Sequence, residues 1–231
     1  MSRTTSTTKH VAILDRALDV FLERGYLGAS MDEIAAKAGV SKQTVYKHFA
    51  DKDRLFAAIV LATTADVDRL VHWIVDGFGD LSDSREKLVL LAKRFLSALM
   101  EPRLLRLRRL VIANADRFPE LGRSWYKEGF ERVLATLADC FARLDAAGVL
   151  RVDDSASCAD HFVGMLLWIP VNNAMFTGNE TPYTRRQLDR IATSAVRAFL
   201  AAYGAREPDV RPAKRSSRGA SIRAASPVRS G

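Results

Sequence analysis

The sequence predicts an all-α fold: an N-terminal three-helix bundle with a helix-turn-helix, joined by a long fourth helix to a C-terminal helical bundle, about nine helices in all. Three observations carry that prediction. Apolar residues recur at i, i+3, i+4 spacing along most of the 231 residues, with no convincing period-2 strand and no fixed-length repeat. Capping residues (Ser30, Ser41, Asp51) stand immediately ahead of periodic segments. Glycines and prolines fall between those segments rather than inside most of them.

The first helix runs from about Lys9 to Arg24, with Ile13, Leu14, Ala17, Leu18 and Phe21 on one face and Gly25 where a left-handed cap belongs. The second opens at Ser30-Met31-Asp32-Glu33, the spacing of a capping box, and ends at Gly39. After Val40, Ser41 caps a short third helix that Phe49 closes. Asp51 caps a fourth, whose apolar stripe from Leu55 to Ile74 predicts one rod to about Gly77. Longer helices follow at about 83–100, 103–116, 119–146, 155–177 and 184–203, separated by Pro102, Pro119, Gly148, Asp153-Asp154 and the 178–182 segment. The expected domains are a flexible arm at 1–8, a DNA-binding unit at 9–54, a helical effector-binding and dimerisation unit at 55–204, and a basic disordered tail at 205–231.

The formal net charge is +8, but its distribution matters more. Seven Arg or Lys against two acids in 205–231, with Arg3 and Lys9 at the start, leave the intervening chain close to neutral. The high pI is therefore weak support for a DNA-binding surface, and the motif must make the case.

Between Ser30 and Phe49 two short helices meet at Gly39, with Ala35, Ala38 and Val40 small enough to permit a steep, close crossing. The exposed face of the third helix then collects Lys42, Gln43, Thr44, Tyr46, Lys47 and His48. Such a helix fits the major groove, which is about 12 Å wide, with Gln43 and Thr44 suited to base edges. Tyr46, Lys47 and His48 suit phosphates, and Lys52 at the start of the next helix has the free N–H groups of that helix beside it. Ser30 and Ser41, at the two caps, complete the expected DNA-facing set.

The run SMDEIAAKAGVSKQTVYKHFADKDRLFAAIV resembles the DNA-binding domain of the Tet repressor (TetR) family of bacterial regulators, over about residues 9–60. In that family the first three helices bind the operator and the fourth links them to a helical C-terminal domain. The resemblance implies that Gln43, Thr44, Tyr46, Lys47, His48 and Lys52 lie at the DNA. Many members have a glycine after the Ser-Lys pair, where this chain has Gln43. The segments RLVIANADRFPELGRSWY and GVLRVDDSASCADHFVGMLLW are similar to a subgroup with AefR-like C-terminal regions.

A single helix-turn-helix seldom supplies enough contacts for a specific site, so a homodimer is expected. The last two helices are the candidate interface, through Phe162, Met165, Leu188, Ala192, Ala195 and Phe199. Phe95, Met100, Trp125, Phe130, Trp168 and Asn172 are candidates for an effector pocket, since aromatic and Met residues there could line a cavity between helices. The same spacing also suits plain core. Arg103, Arg106, Arg108 and Arg109 form a basic run that reads first as a solvated face paired with Asp116, Glu120 or Glu128, and second as a site for an acidic effector. Cys140 and Cys158 read as small buried hydrophobes.

No Gly-rich phosphate loop, metal-ligand cluster or nucleophile elbow stands out among only four histidines, so an enzyme is not expected, nor a cofactor or metal. No secretory signal or membrane-length apolar run is visible, which places the expected site of action in the cytoplasm, at the nucleoid when DNA is bound. The expected function is a sequence-specific DNA-binding transcriptional regulator, a repressor released from double-stranded operator DNA by a small-molecule effector. The rival reading is a non-specific basic DNA-binding protein without an effector, driven by the tail.

Overall fold

The computed structural model describes residues 2–77 and 83–205, all helical apart from short connections and one isolated bridge. The basic tail lies outside the described residues except for Ala205, as does Met1 of the arm.

Helix α1 (Ser2–Gly28) begins earlier than its apolar stripe suggests, because the backbone ladder continues back through the Ser/Thr-rich segment. It is interrupted at Gly25, whose φ of 69° and ψ of 172° only glycine adopts without strain. Helix α2 (Met31–Ala38) starts where the Ser30 Oγ accepts the Glu33 N–H at 3.1 Å. The expected capping box is half made: the Glu33 carboxylate accepts from Arg24 Nε at 3.0 Å across the turn. Gly39 closes α2 in the left-handed conformation (φ 65°, ψ 31°), while the Val40 N–H reaches back to Ala35 O at 3.1 Å. Helix α3 (Lys42–His48) follows after the three residues Gly39, Val40 and Ser41.

The fourth helix is not one rod. Helix α4 (Lys52–Ala62) stops at Thr63, and α5 (Thr64–Gly77) begins at once. The Thr63 hydroxyl donates to Val60 O at 2.6 Å, a side-chain bond that competes with the ladder and bends helices. The same hydroxyl oxygen accepts the Trp125 indole N–H at 3.1 Å, so the corner is held from outside as well.

Helix α6 (Ser84–Leu99) and α7 (Pro102–Ala113) form the start of the second half; Pro102 sits in the first turn of α7, where a missing N–H costs nothing. The long helix expected at 119–146 contains a π-helical turn, giving α8 (Pro119–Trp125), the π turn Tyr126–Glu131 and α9 (Arg132–Ala146). Helix α10 (Ser155–Thr177) accommodates Pro170, and α11 (Arg185–Tyr203) opens with a complete capping box between Thr184 and Gln187. Arg151 N–H donates to Tyr203 O and Ala205 N–H to Val149 O, tying the end of α11 to the loop after α9.

Two hydrophobic cores organise these helices. The first gathers Phe21, Tyr26, Ile34, Val45, Leu55, Phe56 and Ile59 from α1 to α4, and it also takes in Leu107 and Val111 of α7. The second centres on Phe141, Phe162 and Phe199 from α9, α10 and α11, whose rings lie 5.1–5.4 Å apart. Polar and aromatic contacts fasten α7 and the residues just after it to α1. Arg103 of α7 donates to Asp15 Oδ1 at 2.6 Å and Asp19 Oδ1 at 3.3 Å, both on α1. The Phe118 ring meets Tyr26 edge-on at 4.9 Å, and the Arg117 guanidinium lies 5.0 Å from the centre of the same Tyr26 ring.

Candidate nucleic-acid interface

Seven residues are too few for a helix to persist alone, so α3 must be held by burial. Val45 (0 % exposed) and Phe49 (4 % exposed) supply that anchor from beneath, and Ser41 Oγ accepts the Thr44 N–H at 3.2 Å to cap the N-terminus. With those residues fixed inward, the 100° step of the helix turns Gln43, Tyr46 and Lys47 outward, and all three are exposed. Lys47 forms no ion pair among the described residues.

The other expected DNA-facing residues are more engaged. Lys42 Nζ lies 2.7 Å from Asp32 Oδ1 of α2, and the Asp32 hydrogen bond holds the ammonium above its ordinary pKa. Thr44 is half-buried with its hydroxyl 2.8 Å from Ser41 Oγ. His48 is half-buried, its ring 5.7 Å from that of His10 on α1, which in turn lies 4.7 Å from Phe49. Ser30 remains exposed at the start of α2 with its hydroxyl proton uncommitted by the cap. Lys52 is turned inward: its ammonium donates to Ala29 O at 2.9 Å, reaches Leu27 O at 3.4 Å and lies 4.7 Å from the centre of the Tyr26 ring. It thus clips the α1–α2 connection onto α4.

The surface around α3 is close to charge-balanced because α2 and its neighbours pair internally. Asp32 takes Lys42, Glu33 takes Arg24, and Glu23 takes Lys37 at 2.5 Å. Pairs separated by about ten residues in sequence leave no periodic signal, which is why the Asp32–Lys42 pair was not legible beforehand. His10 likewise carries no motif that marks it as the support for His48.

The C-terminal candidates are corrected by helix phase. Phe162, Leu188, Ala192 and Phe199 are almost fully buried in the subunit's own second core, and Ala195 is half-buried against it, so of the six interface candidates only Met165 stands on an open face. That face of α10 carries Met165, Trp168, Ile169 and Phe176, which are 45 %, 68 %, 67 % and 87 % exposed. The effector candidates do not converge. Phe95 and Met100 are buried in the second core and Phe130 packs at its edge, whereas Trp125 packs against the first core. Trp168 points outward, and the Asn172 side chain is occupied by Trp168 O at 2.7 Å. An open groove of about 330 Å³ between α6 and α11, lined by Lys93, Arg186, Arg190 and Arg197 among others, includes none of those six.

The arginines of α7 are also not the self-contained solvated face expected. Arg103 bonds α1, Arg106 Nε lies 3.6 Å from Glu180, and Arg109 donates to Ala174 O at 3.0 Å, so each reaches a different element. Glu120 instead pairs with Arg123. Burial pushes the Cys140 and Cys158 thiols up, to about 11 and about 12, so both stay protonated near neutrality.

Residues 13–59 match the family model of bacterial regulatory proteins of the tetR family, and residues 86–205 match that of the AefR-like transcriptional repressor C-terminal domain. The chain belongs to the TetR family. A TetR-family protein of known structure from Mesorhizobium loti is 46 % identical, with a TM-score of 0.81 over 88 % of this chain and 100 % of that one. The flavonoid-responsive regulator FrrA is 28 % identical, with a TM-score of 0.67 over 87 % of this chain and all of that one. The transcriptional activator FasR from Mycolicibacterium smegmatis is 41 % identical over 76 residues, a third of either chain. The matched part therefore spans about a third of the length of that curated relative. In the TetR family the α2–α3 pair is the helix-turn-helix, and this regulator builds it with Gly39 at the turn and Val45 as the inward anchor.

Proposed function

We propose that this TetR-family regulator is a homodimeric repressor that binds a specific double-stranded operator through α3 and is released by a small-molecule effector. The observation that carries the reading is the construction of α3: Val45 and Phe49 are sunk beneath it while Gln43, Tyr46 and Lys47 face outward together. Gln43, with Thr44 beside it, reads base edges; Tyr46, Lys47 and His48 hold phosphates, with Ser30, Ser41 and Lys42 at the flanks. Lys42 must exchange Asp32 for a phosphate, an exposed ion pair that costs little to break. Lys52 contributes by holding the α1–α2 connection in place.

The second copy packs on the apolar face of α10. A face with Trp168, Ile169 and Phe176 all more than half exposed is costly to leave in water, and a duplicated helix-turn-helix supplies the contacts that one lacks. On this reading residues 9–54 bind DNA, 55–204 dimerise and take the effector, and the tail at 205–231 adds sequence-independent affinity from the +5 charge it carries. Repression is favoured over activation by the AefR-like repressor match of the C-terminal half, and effector response by the likeness to a flavonoid-responsive regulator. A DNA-bound regulator works in the cytoplasm, at the nucleoid.

Selection of bound duplexes from a random library by the full chain tests the reading. The expected product is a two-fold symmetric sequence with half-sites about 10–10.5 bp or a multiple apart, retained when residues 205–231 are removed. Enrichment of no sequence, or loss of selectivity with the tail, would overturn it.

A further inference from the structure

Three of the four arginines on α7 are tied down, and one is not. Arg103, Arg106 and Arg109 reach α1, Glu180 and the Ala174 carbonyl. Arg108 forms no hydrogen bond and no ion pair with a described residue; its guanidinium carbon lies 5.9 Å from the centre of the Trp125 ring. Burial pushes its pKa below the ordinary arginine range, with no carboxylate counteracting that effect. A half-buried guanidinium held against an indole face, with no carboxylate beside it, is open to pair with an anion that arrives from solvent.

Its surroundings suit the rest of an organic anion. Ile112 lies one turn along the same stripe of α7 and is 60 % exposed. Trp125 ends α8, and the chain passes directly into the π turn. Turns of this kind occur often at functional sites because the widened backbone redirects side chains. Trp125 also donates its indole N–H to Thr63, the residue that breaks α4 from α5. One side chain thus touches the unpaired cation and the corner leading to the DNA-binding helices.

We propose that Arg108, with Ile112 and Trp125, forms the anion-recognising part of the effector site, and that the effector is a small amphipathic organic anion such as a carboxylate. The proposal rests on the effector-responsive reading above and narrows it to a ligand class. The charged head pairs with the planar fork of Arg108, and the apolar or aromatic body lies on Ile112 and the Trp125 ring. A neutral isostere fills the same apolar surface but leaves Arg108 unpaired, so the site distinguishes the two by charge. Binding that repositions Trp125 alters its bond to Thr63, and the effector shifts the DNA-binding state by whatever affinity difference that makes.

The test uses the full chain and two fluorescent probes, the aromatic anion 8-anilinonaphthalene-1-sulfonate and its neutral counterpart N-phenyl-1-naphthylamine. Arg108→Gln is expected to raise the Kd of the anionic probe about tenfold or more and that of the neutral probe less than about twofold, with Arg108→Lys between the wild type and Arg108→Gln. Matching thermal melts of the three proteins exclude a folding defect. Equal affinity of wild type and Arg108→Gln for the anionic probe overturns the proposal, as does a parallel loss of both probes in a folded variant. Affinity of the wild type for its selected duplex, measured in parallel without probe, reports on the regulator reading separately: its absence counts against that reading, whichever way the probes behave.

Discussion

Helices α3 and α10 are built alike and display opposite chemistry. Each is pinned by apolar side chains on one face, Val45 and Phe49 for α3, Phe162 and Leu166 for α10, none more than 4 % exposed. Each leaves the other face open. On α3 that face carries Gln43, Tyr46 and Lys47; on α10 it carries Met165, Trp168, Ile169 and Phe176. A polar face rests in water at little cost and gains on meeting a polyanion by releasing its counterions. An apolar face forfeits about 25 cal/mol for every Å² left wet, so it is best explained by a partner that covers it. On the proposed reading, the same packing device serves DNA recognition at one end and self-association at the other.

The comparison breaks most readily at α10. Trp168→Glu places a charge in the middle of the apolar face, and sedimentation velocity should show the dimer dissociation constant rising by about 30-fold or more, the scale of a central aromatic anchor. An unchanged constant would show that α10 does not hold the dimer together. On α3 the anchor and the display should separate. Val45→Ala opens a cavity under the helix and should lower stability in urea by roughly 2 kcal/mol, whereas Tyr46→Ala should leave stability within about 0.5 kcal/mol while weakening DNA binding. Equal stability losses would mean that Tyr46 is structural.

The aromatic cluster of the first core offers a smaller effect that should disturb neither face. Burial, reinforced by the hydrogen bond to Asp53, pushes the Tyr26 phenol up to about 12. Its raised value favours the protonated form in the folded protein, so that stabilisation is fully present below the ordinary tyrosine range and lost as pH climbs towards 12. Tyr26→Phe should cost about 1 kcal/mol at pH 7 and flatten the decline in urea midpoint above pH 10; an unchanged alkaline slope would place its origin elsewhere. Smallest of all, Asp32→Asn frees Lys42 and should tighten binding to any duplex by a fewfold with a steeper salt dependence, because exposed pairs are worth about 1 kcal/mol or less. Weaker binding would show that Asp32 positions Lys42 instead of neutralising it.

What was legible in the sequence tracks how local the physics is. The Gly39 turn and the Ser41 and Asp51 caps depend on residues within a few positions of one another, and the structure places them as expected. The outward position of Gln43 and Lys47 follows from that local frame. The phase of α10 was not legible, because a helix apolar all round gives no indication of which side its own core will claim; Phe162 went inward and Trp168 outward. The break at Thr63 was hidden by a stripe that continues across it, and it depends on Trp125, 62 residues away. Partners at such separations, including those of Arg103 and Lys52, leave no mark on spacing.

The most direct test of α3 as the reading element is a position-by-position comparison of Gln43→Ala and Lys47→Ala on the selected duplex and on single-base variants of it. Lys47→Ala should weaken binding to all of them alike and reduce the log–log salt slope by about one per site, whereas Gln43→Ala should erase about 1–3 kcal/mol of discrimination at one base pair in each half-site. Uniform losses from both substitutions, with every base preference intact, would contradict the assignment of sequence reading to Gln43 on α3.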